Sequence, residues 1–198
     1  RGLWRRPKPA HGSRAKPFGR AAMPNAIWST DWTQFTCRGK TVYLWLLLDE
    51  ASRFCLGWEL LDHAPRAEDV ARGVDAVFQR YGGRPLILKS DRAKVFRSVE
   101  WEQALSVEGV LPRRARPRIP QDQAIIERFI RELKAWLRAN DPESRDSLQA
   151  CLDEGMFMLN FLKPRLVLGG RTPAAAHWAR PARVESQAAC RKEDLVNA

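Results

Sequence analysis

Asp31, Asp91 and Glu127 are the side chains of this sequence whose type and spacing point to chemistry. Asp91 closes an apolar run, Leu86-Ile87-Leu88-Lys89-Ser90, and thirty-five residues separate it from Glu127. Asp31 sits midway along an alternating stretch, residues 27–35, and Glu127 lies on a segment of helical periodicity. Carboxylates delivered by two strands and a helix can converge on a pair of divalent metal ions, an arrangement suited to phosphodiester chemistry. Two of the acids also have a plainer explanation. Asp31 fits a strand carboxylate that faces solvent or pairs with an arginine, and Glu127 fits a first-turn acid favoured by the helix dipole. The dipole does not account for Asp91 at the end of a buried strand at this separation. Asp49 and Glu50 compete as metal ligands but read more naturally as turn residues.

The elements that must position these acids are legible in the pattern. In residues 27–35, Trp28 and Trp32 fall on one face and Ile27, Asp31, Thr33 and Phe35 on the other. Arg38-Gly39 turns the chain into residues 41–49, an apolar run that suits a strand buried on both faces. A second turn, 50–53, leads to a third strand, 54–61, which completes an antiparallel meander. Residues 67–81 place Val70, Val74, Val77, Phe78 and Tyr81 on one helical face, and Gly82-Gly83 stops that helix.

A short strand, 85–90, then delivers Asp91. A helix around 98–107 leads to a fifth strand near 110–114, and the Arg-Pro stretch 112–120 precedes a strong helix from 122 to about 139. On that helix Ile126, Phe129, Ile130, Leu133, Trp136 and Leu137 fill one arc, while Glu127, Arg131, Lys134 and Arg138 form a stripe beside it. Another helix is expected over 144–162, ended by Pro164, with one further helical turn after Thr172-Pro173. The order βββαβαβα is that of an α/β, ribonuclease-H-like fold, a five-stranded mixed sheet flanked by helices. The chain divides into a basic extended arm (1–25), the catalytic core (26–140) and a C-terminal helical extension and tail (141–198).

Charge sets the class of partner. The 198 residues carry 34 Lys+Arg against 23 Asp+Glu, a net +11, which favours a polyanion and above all nucleic acid. Arginine dominates, and its planar fork suits phosphate. Residues 1–25 hold seven basic side chains (Arg1, Arg5, Arg6, Lys8, Arg14, Lys16 and Arg20) and no acid, which reads either as a phosphate-tracking arm or as a solvated tail. Cys37, Cys55, Cys151 and Cys190 form no CxxC pair, and His11, His63 and His177 are equally scattered, so no zinc module is encoded. Reduced thiols in a cytoplasmic protein, nucleoid-associated if bacterial, are expected. No apolar run approaches the length of a membrane span, and no apolar segment follows the basic start as in a secretory signal. The chain begins at Arg1 rather than Met, as expected of a sequence with further residues upstream.

Several segments in order resemble insertion-sequence transposases of the retroviral-integrase-like DDE type. Ile27-Trp28-Ser29-Thr30-Asp31 resembles the strand that carries their first acid, and Leu48-Asp49-Glu50-Ala51-Ser52-Arg53 with Gly57-Trp58 resembles their second hairpin. Ser90-Asp91 followed by Phe96 is similar to the second-acid motif. The stretch from Ala115-Arg116-Pro117 through Glu127 to Leu133-Lys134 is similar to the third, and Gly169-Gly170-Arg171-Thr172-Pro173-Ala174 to the closing segment. The sequence departs from the pattern at Arg92-Ala93, where Asn-Gly is usual, at Gln123, where Asn is usual, and at Lys163-Pro164-Arg165, where Arg-Pro-His is typical.

The resemblance implies metal-dependent DNA cleavage and strand transfer in DNA transposition. Asp31 would bridge two Mg²⁺ ions, for which Mn²⁺ can substitute, and Asp91 and Glu127 would each complete one site. It further implies DNA as partner, both element ends and target, with a homo-oligomer assembled on it. Arg131 and Lys134 would hold the phosphate backbone beside Glu127, and Arg113, Arg114, Arg116 and Arg118 would do so at the helix entrance. No helix-turn-helix pattern precedes the core, so recognition of element ends is expected from residues outside this sequence or from another chain. Two alternatives stay open: a catalytically inactive integrase-like module for DNA binding or assembly, and a nuclease of the same fold acting on RNA or an RNA–DNA hybrid.

Overall fold

The computed structural model describes residues 21–179; the basic residues up to Arg20, His11 and Cys190, with the end of the tail, lie outside the described residues. Strand β1 (Ile27–Cys37) pairs antiparallel with β2 (Lys40–Asp49) from Trp28↔Asp49 to Cys37↔Lys40. Arg38 and Gly39 join them with φ of 47° and 76°, the left-handed pair that a tight two-residue hairpin demands. Strand β3 (Cys55–Leu61) continues the meander, with a register shift opposite Leu47 and Leu48.

After helix α1 (Ala67–Tyr81), β4 (Ile87–Ser90) runs parallel to β1, and after α2 (Val99–Val107), β5 (Leu111–Arg114) runs parallel to β4. The sheet order is therefore β3-β2-β1-β4-β5. The expected strand over 85–90 begins at Ile87: Pro85 has no N–H to donate, although Leu86 N–H already bonds to Ala26 O.

Strand β2 is apolar on both faces because each face has its own core. Leu44, Leu46 and Leu48 pack with helix α3 (Ala124–Asn140) and helix α4 (Arg145–Phe157), through Ile126, Phe129, Leu133, Leu148 and Leu152. Trp45 and Leu47 pack with Trp28 and with Val70, Val74 and Phe78 of α1 on the other side. The close seat of α1 depends on glycine: a Cβ at Gly73 would fall 2.6 Å from the Trp45 ring.

The helix expected over 144–162 is α-helical only to Phe157, and Met158–Leu162 winds as a π-helix. The wider turn seats Asn160 against the backbone of Cys55, where its Oδ1 accepts from Cys55 N and its Nδ2 donates to Cys55 O, at 2.9 and 3.0 Å. Thr172 caps the last helix, α5 (Pro173–His177). None of the helices among the described residues is long and apolar enough to cross a membrane.

Candidate active site

Alternation along β1 sends Asp31 toward the face that α3 covers, together with Ser29, Thr33 and Phe35. Its Oδ1 accepts a hydrogen bond from Trp32 N at 2.8 Å. Burial pushes the Asp31 carboxyl up to about 7, and the negative charges of Asp91 and Glu127 add to the rise, against the Trp32 N–H and the Lys134 ammonium. The three acids picked out in the sequence therefore share one electrostatic neighbourhood, although they come from β1, from the residue after β4 and from the first turn of α3.

Asp91 Oδ1 accepts from Ala93 N at 2.9 Å, a turn closed by the carboxylate itself without the usual Asn-Gly. Glu127 is exposed on its helix. Among the described residues no three carboxylate, imidazole or thiol groups stand close enough to hold a single ion. A pair of ions bridged by one acid asks for only two carboxylates each, and hard carboxylate oxygens are the donors Mg²⁺ prefers. Burial is the main cause of the raised Asp31 carboxyl, and the lesser repulsion from Asp91 and Glu127 is what a cation would relieve, so the three acids suit a divalent cation in donor type and charge.

Behind the acids lies a second, buried layer that the sequence pattern did not disclose. Ser29 and Lys89 are register partners on β1 and β4, each two residues before an acid and on the same side. Ser29 Oγ donates to Glu50 Oε1, and Lys89 Nζ meets the same oxygen at 2.7 Å, the lysine and glutamate side chains being almost wholly shielded. A lysine within the apolar run Leu86–Ser90 was the available signal, since a buried charge must find a partner.

Asp49 is equally buried. Burial would raise its carboxyl, but the nearby His177 ring, with Nδ1 3.9 Å from Oδ1, and hydrogen bonds from the side chain and N–H of Ser52 and from Asn25 N hold it below the usual range. Glu50 is the turn residue expected, whereas Asp49 is the last residue of β2, opposite Trp28; the oxygens of both are used within the fold.

At the entrance to α3, Asp122 is fully buried and takes Arg116 Nε and Nη2 at 2.9 Å each, with Arg116 N at 3.1 Å. Of the expected phosphate ligands, Arg116 is thus engaged with Asp122, and Arg114 pairs with Glu102. Arg113 and Arg118 are exposed on either side of them, Arg131 is exposed one turn beyond Glu127, and Lys134 lies over the Phe35 ring, 5.5 Å from its centroid. Gln123 is buried with neither amide atom hydrogen-bonded to the described residues. A cavity of about 640 Å³ opens beside Glu127, between α3 and the segment 163–167; hollows of similar size at the α3–α4 turn and over β3 lie away from the acids.

A mixed five-stranded sheet in this order, with an acid on the first strand, one after the fourth and one on the following helix, defines a ribonuclease-H-like core. Residues 21–120 match the integrase core domain family, and the chain belongs to that family. It is 28% identical over 167 residues to the Intracisternal A-particle Pol-related polyprotein of mouse intracisternal A-particle MIA14, covering 83% of this chain and 19% of the relative. It is 27% identical over 121 residues to the transposase for insertion sequence element IS904 of Lactococcus lactis, covering 60% of this chain and 47% of that one. The chain thus spans less than half the length of either relative.

Among solved structures, the simian T-cell lymphotropic virus intasome in complex with PP2A regulatory subunit B56 gamma superposes with a TM-score of 0.76 at 19% identity, covering 88% of this chain and 63% of that chain. The HTLV-2 integrase catalytic core domain in complex with magnesium gives 0.65 at 19% identity, over 80% of this chain and 99% of that one.

Proposed function

We propose that this chain is the catalytic core of a DNA transposase or integrase, cleaving DNA and joining the cut strand to a target in a divalent-metal-dependent reaction. The observation that carries the reading is the convergence of three acids from β1, the end of β4 and the first turn of α3, near enough that Asp91 and Glu127 add to the rise that burial gives the Asp31 carboxyl. Perturbed acids of this kind gather where a cation or a reacting group belongs. When bound, a pair of Mg²⁺ ions would activate the attacking water or 3′-hydroxyl and stabilise the leaving oxygen.

The protein's own part is positioning. Asp31 would serve both ions, with Asp91 completing one site and Glu127 the other. The backbone N–H groups of Trp32 and Ala93 each engage only Oδ1 of their aspartate. Asp31 would have to be ionised to hold a cation, so metal binding should strengthen as pH rises through about 7. Arg131 and Lys134 would hold the backbone beside Glu127, with Arg113 and Arg118 at the helix entrance; Arg114 would join them by exchanging Glu102 for phosphate, while Arg116 stays with the buried Asp122.

DNA is the partner in this reading, as element ends and as target, with several copies of the chain assembled on it, in the cytoplasm or on a bacterial nucleoid. The core would comprise residues 26–140, and 141–198 its extension.

A labelled DNA duplex incubated with the wild-type chain in Mg²⁺, and with Asp31→Asn, Asp91→Asn and Glu127→Gln, tests the proposal. Metal-dependent nicking and strand-transfer product from the wild type alone is the expected result. A wild-type chain that binds DNA without cutting it in Mg²⁺ or Mn²⁺ would support the second reading, an inactive integrase-like assembly module. That reading is favoured by the Asp91 turn through Arg92-Ala93, which departs from the usual Asn-Gly. Cleavage confined to RNA or hybrid would mark the nuclease alternative.

A further inference from the structure

Arg165 stands out because half of its guanidinium has work and half has none. Its Nη1 bonds to both carboxylate oxygens of Glu132, at 3.0 and 3.2 Å, yet Nε and Nη2 are buried and meet no hydrogen-bond acceptor among the described residues. Those two nitrogens form the side-on edge of the guanidinium, whose parallel N–H bonds match two oxygens of one phosphate or carboxylate. Buried donors without an acceptor are costly, so an edge left this way points to a missing anion.

Glu132 does not require an arginine at 165. Lys163, two residues earlier on the same extended segment, already reaches Glu132 Oε2 at 3.1 Å. Glu132 is accordingly held below the usual carboxylate range: burial opposes this, and Lys163 and Arg165 overcome it. Arg165 lines the cavity of about 640 Å³ beside the third acid, and Arg128, Arg131 and Lys163 line it too. Arg53 and Lys89 complete six cations in the lining, against the three carboxylates Glu50, Glu127 and Glu132, so the balance of charge is cationic.

We propose that Arg165 is a phosphate-binding residue, its Nε–Nη2 edge gripping a backbone phosphate of the DNA strand that runs past Glu127 through this cavity. The inference rests on the DNA-transferase reading and adds to it a contact contributed from beyond α4. In this structure both nitrogens are shielded from solvent, so the phosphate reaches them by shifting part of the wall.

The test is duplex binding without divalent metal, followed by fluorescence anisotropy across a salt series, so that a chain unable to cut DNA still reports. Arg165→Met should lower the log–log salt slope by about 0.9, the value of one phosphate contact. Arg165→Lys should keep the slope but bind about three- to tenfold more weakly, having a charge without a fork. Arg72→Met, an exposed arginine of α1 on the opposite side of the sheet, should leave the slope unchanged.

An unchanged slope in folded Arg165→Met would overturn the proposal and reduce Arg165 to an anchor for Glu132, while leaving the cleavage assay to judge the enzyme. Should Arg165→Met fail to fold, the Arg165 Nε–H resonance of the wild-type chain decides. A shift on adding duplex, and none with the same concentration of inorganic phosphate, supports a DNA contact. A shift with inorganic phosphate alone, or with neither, overturns it. No binding of duplex by the wild type would remove the DNA-transferase reading and this inference together.

Discussion

Lys89 and Glu50 meet at 2.7 Å in the interior, behind the end of β4 that leads to Asp91 and the part of β1 that carries Asp31. The pair ties β4 to the β2–β3 turn, and Ser29 ties β1 to the same carboxylate. Both acid-bearing strands are thereby referenced to one glutamate. Charges so thoroughly shielded are held by each other, and removing one strands the other.

Lys89→Met should therefore destabilise the fold by about 3–5 kcal/mol. Lys89→Met combined with Glu50→Gln should recover much of that loss, because no charge is then left buried alone. Urea midpoints of the two variants against wild type measure the difference. Equal losses in the single and double variants would show that Glu50 depends on other partners.

Asp31 carries a pH signature whose sign can be fixed. Its folded pKa of about 7 lies above the ordinary 3.8, so between those values the native state holds a proton that the unfolded state has lost. Stability without metal should fall as pH rises through that window. Asp31→Asn should then be the more stable protein at pH 7.5, by about 1–2 kcal/mol once partial exposure is allowed for, and should lose the advantage near pH 4. Thermal denaturation in EDTA at the two pH values tests this, and a wild-type chain that is more stable at pH 7.5 than at pH 5 would contradict it.

Adding Mg²⁺ should invert that ranking. The wild type gains the stabilisation of a bound cation, with release of the Asp31 proton, and Asp31→Asn gains little. Cleavage should fall about a thousandfold or more in Asp31→Asn, Asp91→Asn and Glu127→Gln, with duplex affinity retained in each. Near-native cleavage by Glu127→Gln would remove Glu127 from the site.

Asp122→Asn should lower the melting temperature and cleavage together, because Arg116 then loses its carboxylate and the entrance to α3 loosens five residues before Glu127. Arg116→Lys should be intermediate, keeping charge but giving up the paired Nε and Nη2 hydrogen bonds. Cleavage that survives intact in a chain visibly destabilised by Asp122→Asn would separate this clamp from the placement of Glu127.

Deleting residues 1–20 should flatten the salt dependence of duplex binding if those basic residues track DNA, each phosphate they neutralise being worth about 0.9 in slope. An unchanged slope would make them a solvated tail.

Much of this could be read before any coordinates because periodicity reports burial. The strand–helix order, both faces of β2, the extent of α1 and the apolar arc of α3 follow from where Leu44 to Leu48, Val70 to Phe78 and Ile126 to Leu137 recur. The acids were legible for a related reason, each being a charge next to an apolar run. What could not be read was pairing between distant side chains. Arg114 and Arg116 look alike as cations in a basic stretch, yet Glu102 engages the first at the surface and the buried Asp122 the second. The π-turn at Met158–Leu162 was hidden because its cause, the Asn160 clamp on Cys55, lies across the fold rather than in the local pattern.

Strand β5 ends the sheet with only four residues, Leu111-Pro112-Arg113-Arg114. Pro112 has no N–H to offer a neighbour, and two arginines follow it, features that keep an exposed strand from recruiting another. At the far side, Asn160 occupies the backbone donor and acceptor of Cys55 where β3 begins. The sheet is thus poorly suited to growing by strand addition at either place. Copies of this chain that associate would then meet at these two places through side chains rather than added strands. An assembly of that kind comes apart into folded subunits rather than creeping toward a shared, irreversible β-structure.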